Sequence, residues 1–338
     1  MNTPIVITGG DPAGVGPELI LEIIPQFISS RNVILYFATG GNNHRAEFCK
    51  RLSMKGISFC VLKSSDFISI TEESDVRIYY IDLTNEGDTE LDFVPGKPTE
   101  TGGRLAWEAL HQACQFINKF SCRGLLTAPI SKEWVVRGIQ KHFSGHTDYL
   151  AEYFDRKILM LMHGVNFSVI PLTVHIPLCD VPDALIKTIS SNYLINLIKE
   201  VGELNDFKGK KMVLCGLNPH SGEGGYLGRE EVDYLNFFVE KINKQNISLE
   251  GPIAADSLFM PHVLSNYKLI LGCYHDQVLT PFKALEGSSG INCSIGLPFP
   301  RTSPAHGTAY SIAGKNIASS NSMKRAFEII DQGGLVCE

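Results

Sequence analysis

Between residues 5 and 295, short runs rich in Val, Ile and Leu alternate with longer amphipathic stretches. That alternation restricts the chain to an α/β architecture with a largely parallel sheet. The runs at 5–8, 33–38, 57–62, 76–82, 124–127, 158–162, 167–174, 211–216, 269–274 and 291–295 read as strands, and helices are predicted over 18–27, 101–120, 147–154, 183–201, 229–244 and 323–331. In the helix over 101–120, Leu105, Ala109, Leu110, Ala113, Phe116, Ile117 and Phe120 recur at three- and four-residue steps, a stripe that faces a core. The polar connection 85–101, with Gly87, Pro95, Gly96 and Pro98, reads as a loop inside the alternation and not as a domain boundary.

A chain of 338 residues is about twice a typical domain, so one large domain or two interlocked lobes are both open. With 44% hydrophobic and 20% charged residues, disorder and coiled coil are excluded. The net charge is −6 and Lys and Arg form no long run, which argues against nucleic acid and anionic membrane surfaces as partners. Any bound anion must therefore be held locally. No apolar stretch approaches the roughly 18 residues of a membrane span, and residues 1–10 carry no basic leader, so a cytoplasmic protein is expected. Nine cysteines without a C-x-x-C pair fit neither a disulfide framework nor a four-cysteine zinc site and read as mostly buried, reduced fillers.

Three histidines share a placement. His175 closes the strand predicted over 167–174, His220 follows 211–216 through Asn218-Pro219, and His275 closes 269–274. Ligands of open α/β sheets bind beyond the carboxyl ends of strands, so three imidazoles delivered there are placed to share one metal ion. Singly, each is an ordinary hydrogen-bonded histidine at a strand end. Asp256 and Asp276 are candidate supporting carboxylates or further ligands. Two glycine-rich turns run from a strand toward a helix, one over 8–18 and one over 221–228. Neither satisfies the P-loop or the G-x-G-x-x-G fingerprint, so a nucleotide lying against the second does not do so in the Rossmann manner. Anion-binding candidates are His146 and Thr147 at a helix N-terminus, then Lys283, Asn292 and Arg301; singly, each reads as a solvated surface group. There is no G-x-S-x-G elbow to nominate a nucleophile.

The segments at 10–18, 144–147, 218–223, 274–277, 296–299 and 301–303 together resemble the 4-hydroxythreonine-4-phosphate dehydrogenase family, as do Thr127-Ala128-Pro129-Ile130-Ser131-Lys132 and His306-Gly307-Thr308-Ala309. The likeness runs from residue 5 to about residue 330. It implies an isocitrate/isopropylmalate dehydrogenase-like fold, with two α/β lobes flanking a central cleft. The first lobe would span approximately 1–135 and 296–338, and the second 136–295, carrying metal and dimer contacts. It also implies a homodimer whose active site lies at the subunit interface. The implied metal ligands are His175, His220 and His275, holding one divalent ion (Zn, Mg or Co). The implied substrate contacts are His146, Thr147, Lys283, Asn292 and Arg301. Lys283, Asp256 and Asp276 are the catalytic candidates, and Gly222, Glu223, Gly224 and Gly225 the candidate contacts to NAD or NADP.

The reaction so implied is NAD(P)-linked oxidation of the secondary alcohol of 4-phosphooxy-L-threonine to a β-keto acid, which loses carbon dioxide to give 3-amino-2-oxopropyl phosphate. Ala254, Ser257, Val278 and Ala305 depart from the pattern associated with the family. These departures keep open a four-carbon sugar-acid phosphate, threonate or erythronate 4-phosphate, as substrate. A phosphate acyltransferase is the rival of different chemistry, and a phosphometabolite-binding protein without catalysis would have lost the metal site.

Overall fold

The structure, a computed structural model, describes residues 3–65, 76–84 and 93–335; the first part of the 85–101 loop and Cys337 lie outside the described residues. The chain divides into two compact units, the first built from residues up to Ile158 together with Leu297–Gly333, the second on Leu159–Gly296.

The first unit carries β1 (Ile5–Thr8), β2 (Ile34–Ala38), β3 (Phe59–Lys63), β4 (Ile78–Asp82), β5 (Gly124–Thr127) and β12 (Arg301–Pro304). All are parallel, in the order β3-β4-β2-β1-β5-β12. Every residue of β1, β2, β4 and β5 is buried, as strands covered by helices on both faces require. The helices are α1 (Gly16–Glu22), α2 (Ile24–Ser29), α3 (Gly41–Ser53), α4 (Glu100–Lys119), α5 (Lys132–Ile139), α6 (His146–Tyr153) and α13 (Asn321–Asp331). Helix α4 begins where Thr99 Oγ1 accepts the Gly102 N–H at 3.0 Å. Its apolar stripe is buried as the spacing predicts, except that Phe120 is the C-cap and is exposed.

Residues 136–158, which the sequence division gives to the second lobe, pack with the first unit. Helix α5 crosses α4 at backbone contact, so a Cβ on Gly103 would stand 1.9 Å from the Trp134 carbonyl oxygen and one on Gly138 2.3 Å from that of Glu100. Phe143 and Leu150 then join the core formed by Val6, Leu105, Leu110 and Leu125.

The second unit holds β6 (Leu159–His163), β7 (Ser168–Pro171), β8 (Met212–Cys215), β9 (Leu249–Ile253), β10 (Leu269–Gly272) and β11 (Ile291–Ile295), in the order β11-β6-β7-β10-β8-β9. The sheet is largely parallel, as expected, with two antiparallel pairs here: β11–β6, and β6–β7, where a four-residue turn after His163 reverses the chain; β7–β10, β10–β8 and β8–β9 are parallel. Its helices are α7 (Val181–Ser190), α8 (Asn192–Glu203), α9 (Asn236–Asn243), α10 (Ala255–Leu258), α11 (Pro261–Leu264) and α12 (His275–Glu286). The single helix expected over 183–201 is two, broken at Ser191, whose hydroxyl accepts the Leu194 N–H and starts α8. No helix among the described residues is long and apolar enough to cross a membrane.

Candidate active site

Strands β7, β10 and β8 are neighbours and parallel, so the chain leaves all three at the same end of the sheet. His175, His220 and His275 follow them there. His220 follows its strand through Asn218-Pro219 as expected, whereas His175 and His275 lie beyond the ends of strands shorter than the sequence suggests. His175 lies four residues past β7 with φ +56°, His220 lies in a turn after β8 with φ +52°, and His275 opens α12. Strand β7 stops early because Thr173 turns its hydroxyl onto the Cys273 carbonyl at 2.7 Å.

The His175 and His275 rings face one another with centroids 5.7 Å apart. They line a concavity of about 390 Å³ with Thr173, Ile176, Tyr274 and Asp276. Asp276 Oδ1 stands 2.6 Å from His275 Nδ1, which fixes the ring and leaves Nε2 for a ligand. His220 is exposed, and no group of three or more His, Cys, Asp or Glu able to hold an ion occurs among the described residues of one chain.

Side chains to which the sequence assigned no role of their own hold these loops. Gln277 ties two strand ends, accepting the Cys273 N–H at 2.7 Å and donating to the Gly216 carbonyl at 2.7 Å. Buried Glu231 accepts from the backbone and side-chain amides of Asn218, both at 2.8 Å. Gly222 sits directly over that carboxylate. A Cβ there would come within 2.7 Å of Glu231 Oε2, and φ is +77°, so the residue is buried and bound to the turn's own geometry. Glu223 and Gly224 are exposed and Gly225 half-buried.

Asp256 is exposed on α10 beside the end of β8; burial first, then the charges of Asp256 and Glu231, push the Cys215 thiol up to about 12. Lys283 is exposed two turns along α12 from His275. Asn292 lies on β11, with its Oδ1 sequestered and unpartnered. Val278 is wholly buried, a Cβ on Gly272 being only 2.3 Å from its methyl, so this departure from the family pattern is a matter of core packing. Ala305 donates its N–H to Ser322 Oγ at 3.0 Å.

In the first unit, Arg301 is not the solvated group that sequence suggests. It is 2% exposed and donates to Thr127 Oγ1 at 2.6 Å. His146 and Thr147 open α6, whose N-cap Gly145 offers no capping side chain. Burial first, then the positive charges of Arg301 and Lys132, hold the His146 imidazole neutral, well below the usual histidine range. Nearby, the 8–18 turn is a structural lock: Asp11 accepts from Ala13 N–H at 2.9 Å and from the Tyr310 hydroxyl at 2.6 Å, and burial raises its pKa. Nothing local in the sequence marks the role of Tyr310, whose partner lies 299 residues away, and of the two partners of Gln277 one, Gly216, lies 61 residues away. Of the eight described cysteines all are free and four are buried, fewer than the sequence reading expects.

Residues 42–330 match the sequence family described as pyridoxal phosphate biosynthetic protein PdxA. The 4-hydroxythreonine-4-phosphate dehydrogenase of Aquifex aeolicus is 36% identical over 98% of both chains, and that of Zymomonas mobilis 31% identical over 96% of this chain and 93% of its own. The crystal structure of the Klebsiella pneumoniae 4-hydroxythreonine-4-phosphate dehydrogenase aligns over 98% of both chains with a TM-score of 0.75 at 27% identity. The α/β fold and its strand-end histidines thus belong to a member of the PdxA family.

Proposed function

We propose that the chain is a metal-dependent, NAD(P)-linked dehydrogenase that oxidises the secondary alcohol of 4-phosphooxy-L-threonine, the β-keto acid then losing carbon dioxide to give 3-amino-2-oxopropyl phosphate. The observation that carries this reading is the exit of His175, His220 and His275 from one end of three adjacent parallel strands. The names of the full-length relatives support the substrate.

The donor set fits a divalent ion. Three imidazoles are neutral ligands that suit Zn or Co better than the oxygen-preferring Mg, with positions left for substrate, and Asp276 orients one of them. When bound, the ion supplies Lewis-acid stabilisation of charge on the substrate oxygen, and a nicotinamide supplies the hydride acceptor. The cofactor's proposed contacts are Gly222, Glu223, Gly224 and Gly225. Because Gly222 is buried under the turn, the exposed Glu223 and Gly224 are the groups that meet it.

The protein's own residues bind and orient. Arg301 presents a buried guanidinium, with one N–H already fixed on Thr127, to the phosphate. The first-turn N–H groups of α6 and the Thr147 hydroxyl add uncharged donors. Asn292 and Lys283 come from the second unit; Lys283, exposed and close in sequence to a metal ligand, moves the proton of the reacting hydroxyl, and Asp256 supports the site electrostatically. On this reading the ligand set is shared between two subunits and the active enzyme is a homodimer; the pairing of the His175 and His275 rings, with no group of three ligands among the described residues of one chain, supports it.

Formation of reduced nicotinamide from 4-phosphooxy-L-threonine, abolished by chelation and restored by Zn, Mg or Co, is the expected result. Turnover confined to threonate or erythronate 4-phosphate would move the substrate assignment, and acyl transfer without nicotinamide reduction would overturn the reaction.

A further inference from the structure

The N-terminus of α6 has a neighbour that nothing above uses. Lys132 is the first residue of α5, placed there by the Ser131 N-cap. Its side chain lies across the turn that opens α6: a Cβ on Gly145 would meet Lys132 Cε at 2.9 Å and Nζ at 3.5 Å. Gly145 has φ +126°, so this position both needs a glycine and leaves room for the lysine stem. The ammonium is exposed and has no ion-pair partner among the described residues.

Three further features belong to this helix end. The His146 ring, second from that stem, has its Nε2 sequestered without a hydrogen-bond partner. The α6 first turn is uncapped by any side chain. Arg301 and Lys132 both bear electrostatically on the His146 imidazole. Two cations that bear on a neutral ring beside an uncapped helix N-terminus, where the one acidic side chain of the first turn is the exposed Asp148, form a setting that gains by taking up a dianion. A carboxylate carries one charge; a phosphate monoester carries close to two near neutrality and has three terminal oxygens, one for each of the guanidinium, the ammonium and the helix N–H groups.

We propose that Lys132 is a further substrate-binding residue that completes, with Arg301, His146 and Thr147, a cradle for the substrate's phosphate and so makes the enzyme selective for phosphorylated over unphosphorylated hydroxy acids. This rests on the reading of His146, Thr147 and Arg301 as phosphate contacts. Unlike Arg301, which is buried and fixed, Lys132 is exposed and swings on a flexible stem, so it closes on the phosphate after entry.

Inorganic phosphate is the probe, its affinity measured by calorimetry on the purified dimer in the absence of nicotinamide. Lys132→Ala is expected to weaken phosphate binding at least tenfold, to raise KM for the phosphorylated substrate by a similar factor with kcat changed less than threefold, and to leave the circular dichroism and unfolding midpoint unaltered. Lys132→Arg is expected to recover most of the affinity. If Thr147→Ala weakens phosphate binding and Lys132→Ala does not, Lys132 is no phosphate ligand and the proposal falls while the site stands. If neither variant changes the affinity measured for the native protein, the phosphate lies elsewhere and both readings fall together.

Discussion

Arg301 shows how a single residue's role depends on what surrounds it. A fully buried guanidinium on a strand whose other residues are Thr, Ser and Pro is costly unless its donors are used, and one N–H is already on Thr127. Arg301→Lys keeps the charge and loses the planar fork, so KM for the phosphorylated substrate should rise about tenfold with kcat little changed; an unchanged KM would remove Arg301 from the site. His44 offers a test of a different kind. It is buried against Tyr36 and Tyr80, with Nδ1 3.2 Å from the Tyr80 hydroxyl. Burial, with a smaller effect from the Arg51 charge, lowers its pKa from 6.5 to about 4. Below pH 6.5 the unfolded chain takes up a proton on this ring and the folded chain does not, so stability present above that pH is lost as the pH falls toward 4, by roughly 3 kcal/mol. In denaturant titrations, native protein should lose that much more than His44→Phe between pH 7 and pH 4; parallel pH profiles would show that His44 does not titrate in this window.

Among the elements, the legible ones are those whose side chains announce a period. Helix α4, with its buried stripe, and the uniformly buried β1, β2 and β5 fall where the pattern puts them. The elements that escaped are made of residues chosen for other duties. Strand β12 is Arg-Thr-Ser-Pro, polar and yet buried, β9 carries Gly251 and Pro252, and α12 contains Pro281. Helix α12 is the costliest omission, because it carries His275, Asp276 and Lys283. Its far end is anchored by Glu286, a buried carboxylate that accepts the N–H groups of Val165, Asn166 and Phe167 at 2.8, 2.8 and 3.1 Å. Glu286→Gln would turn one acceptor into a donor facing those amides, a loss of about 1–3 kcal/mol. A fall in the urea midpoint, together with a lower kcat from a displaced Lys283, is expected; an unchanged midpoint would show that the turn after β6 holds without it.

At the scale of the whole molecule, the proposed ligand set of His175, His220 and His275 is one that the described residues of a single chain do not bring together. His175 and His275 face each other across 5.7 Å, and His220 is exposed outside any group of three ligands among the described residues. Spacing along a chain reports only which residues are present, so the division of a site between two copies is invisible to it. In the proposed homodimer, closed two-fold symmetry would complete the set, each interface building two equivalent sites from complementary halves. The consequence is a complementation rule. Let two of the three histidines come from one chain and the third from its partner, and mix His→Ala variants pairwise under conditions of subunit exchange. In a heterodimer whose two lesions fall on ligands contributed by different chains, one site collects both lesions and the other is intact, so activity returns. When both lesions strike ligands from the same chain, each site keeps one lesion and stays inactive. Two of the three pairwise mixtures should therefore regain activity and one should not, with the metal content of each mixture following its activity. Recovery in none of them, with exchange verified by mass, would place all three histidines on one chain and require a rearrangement that brings His220 to the other two.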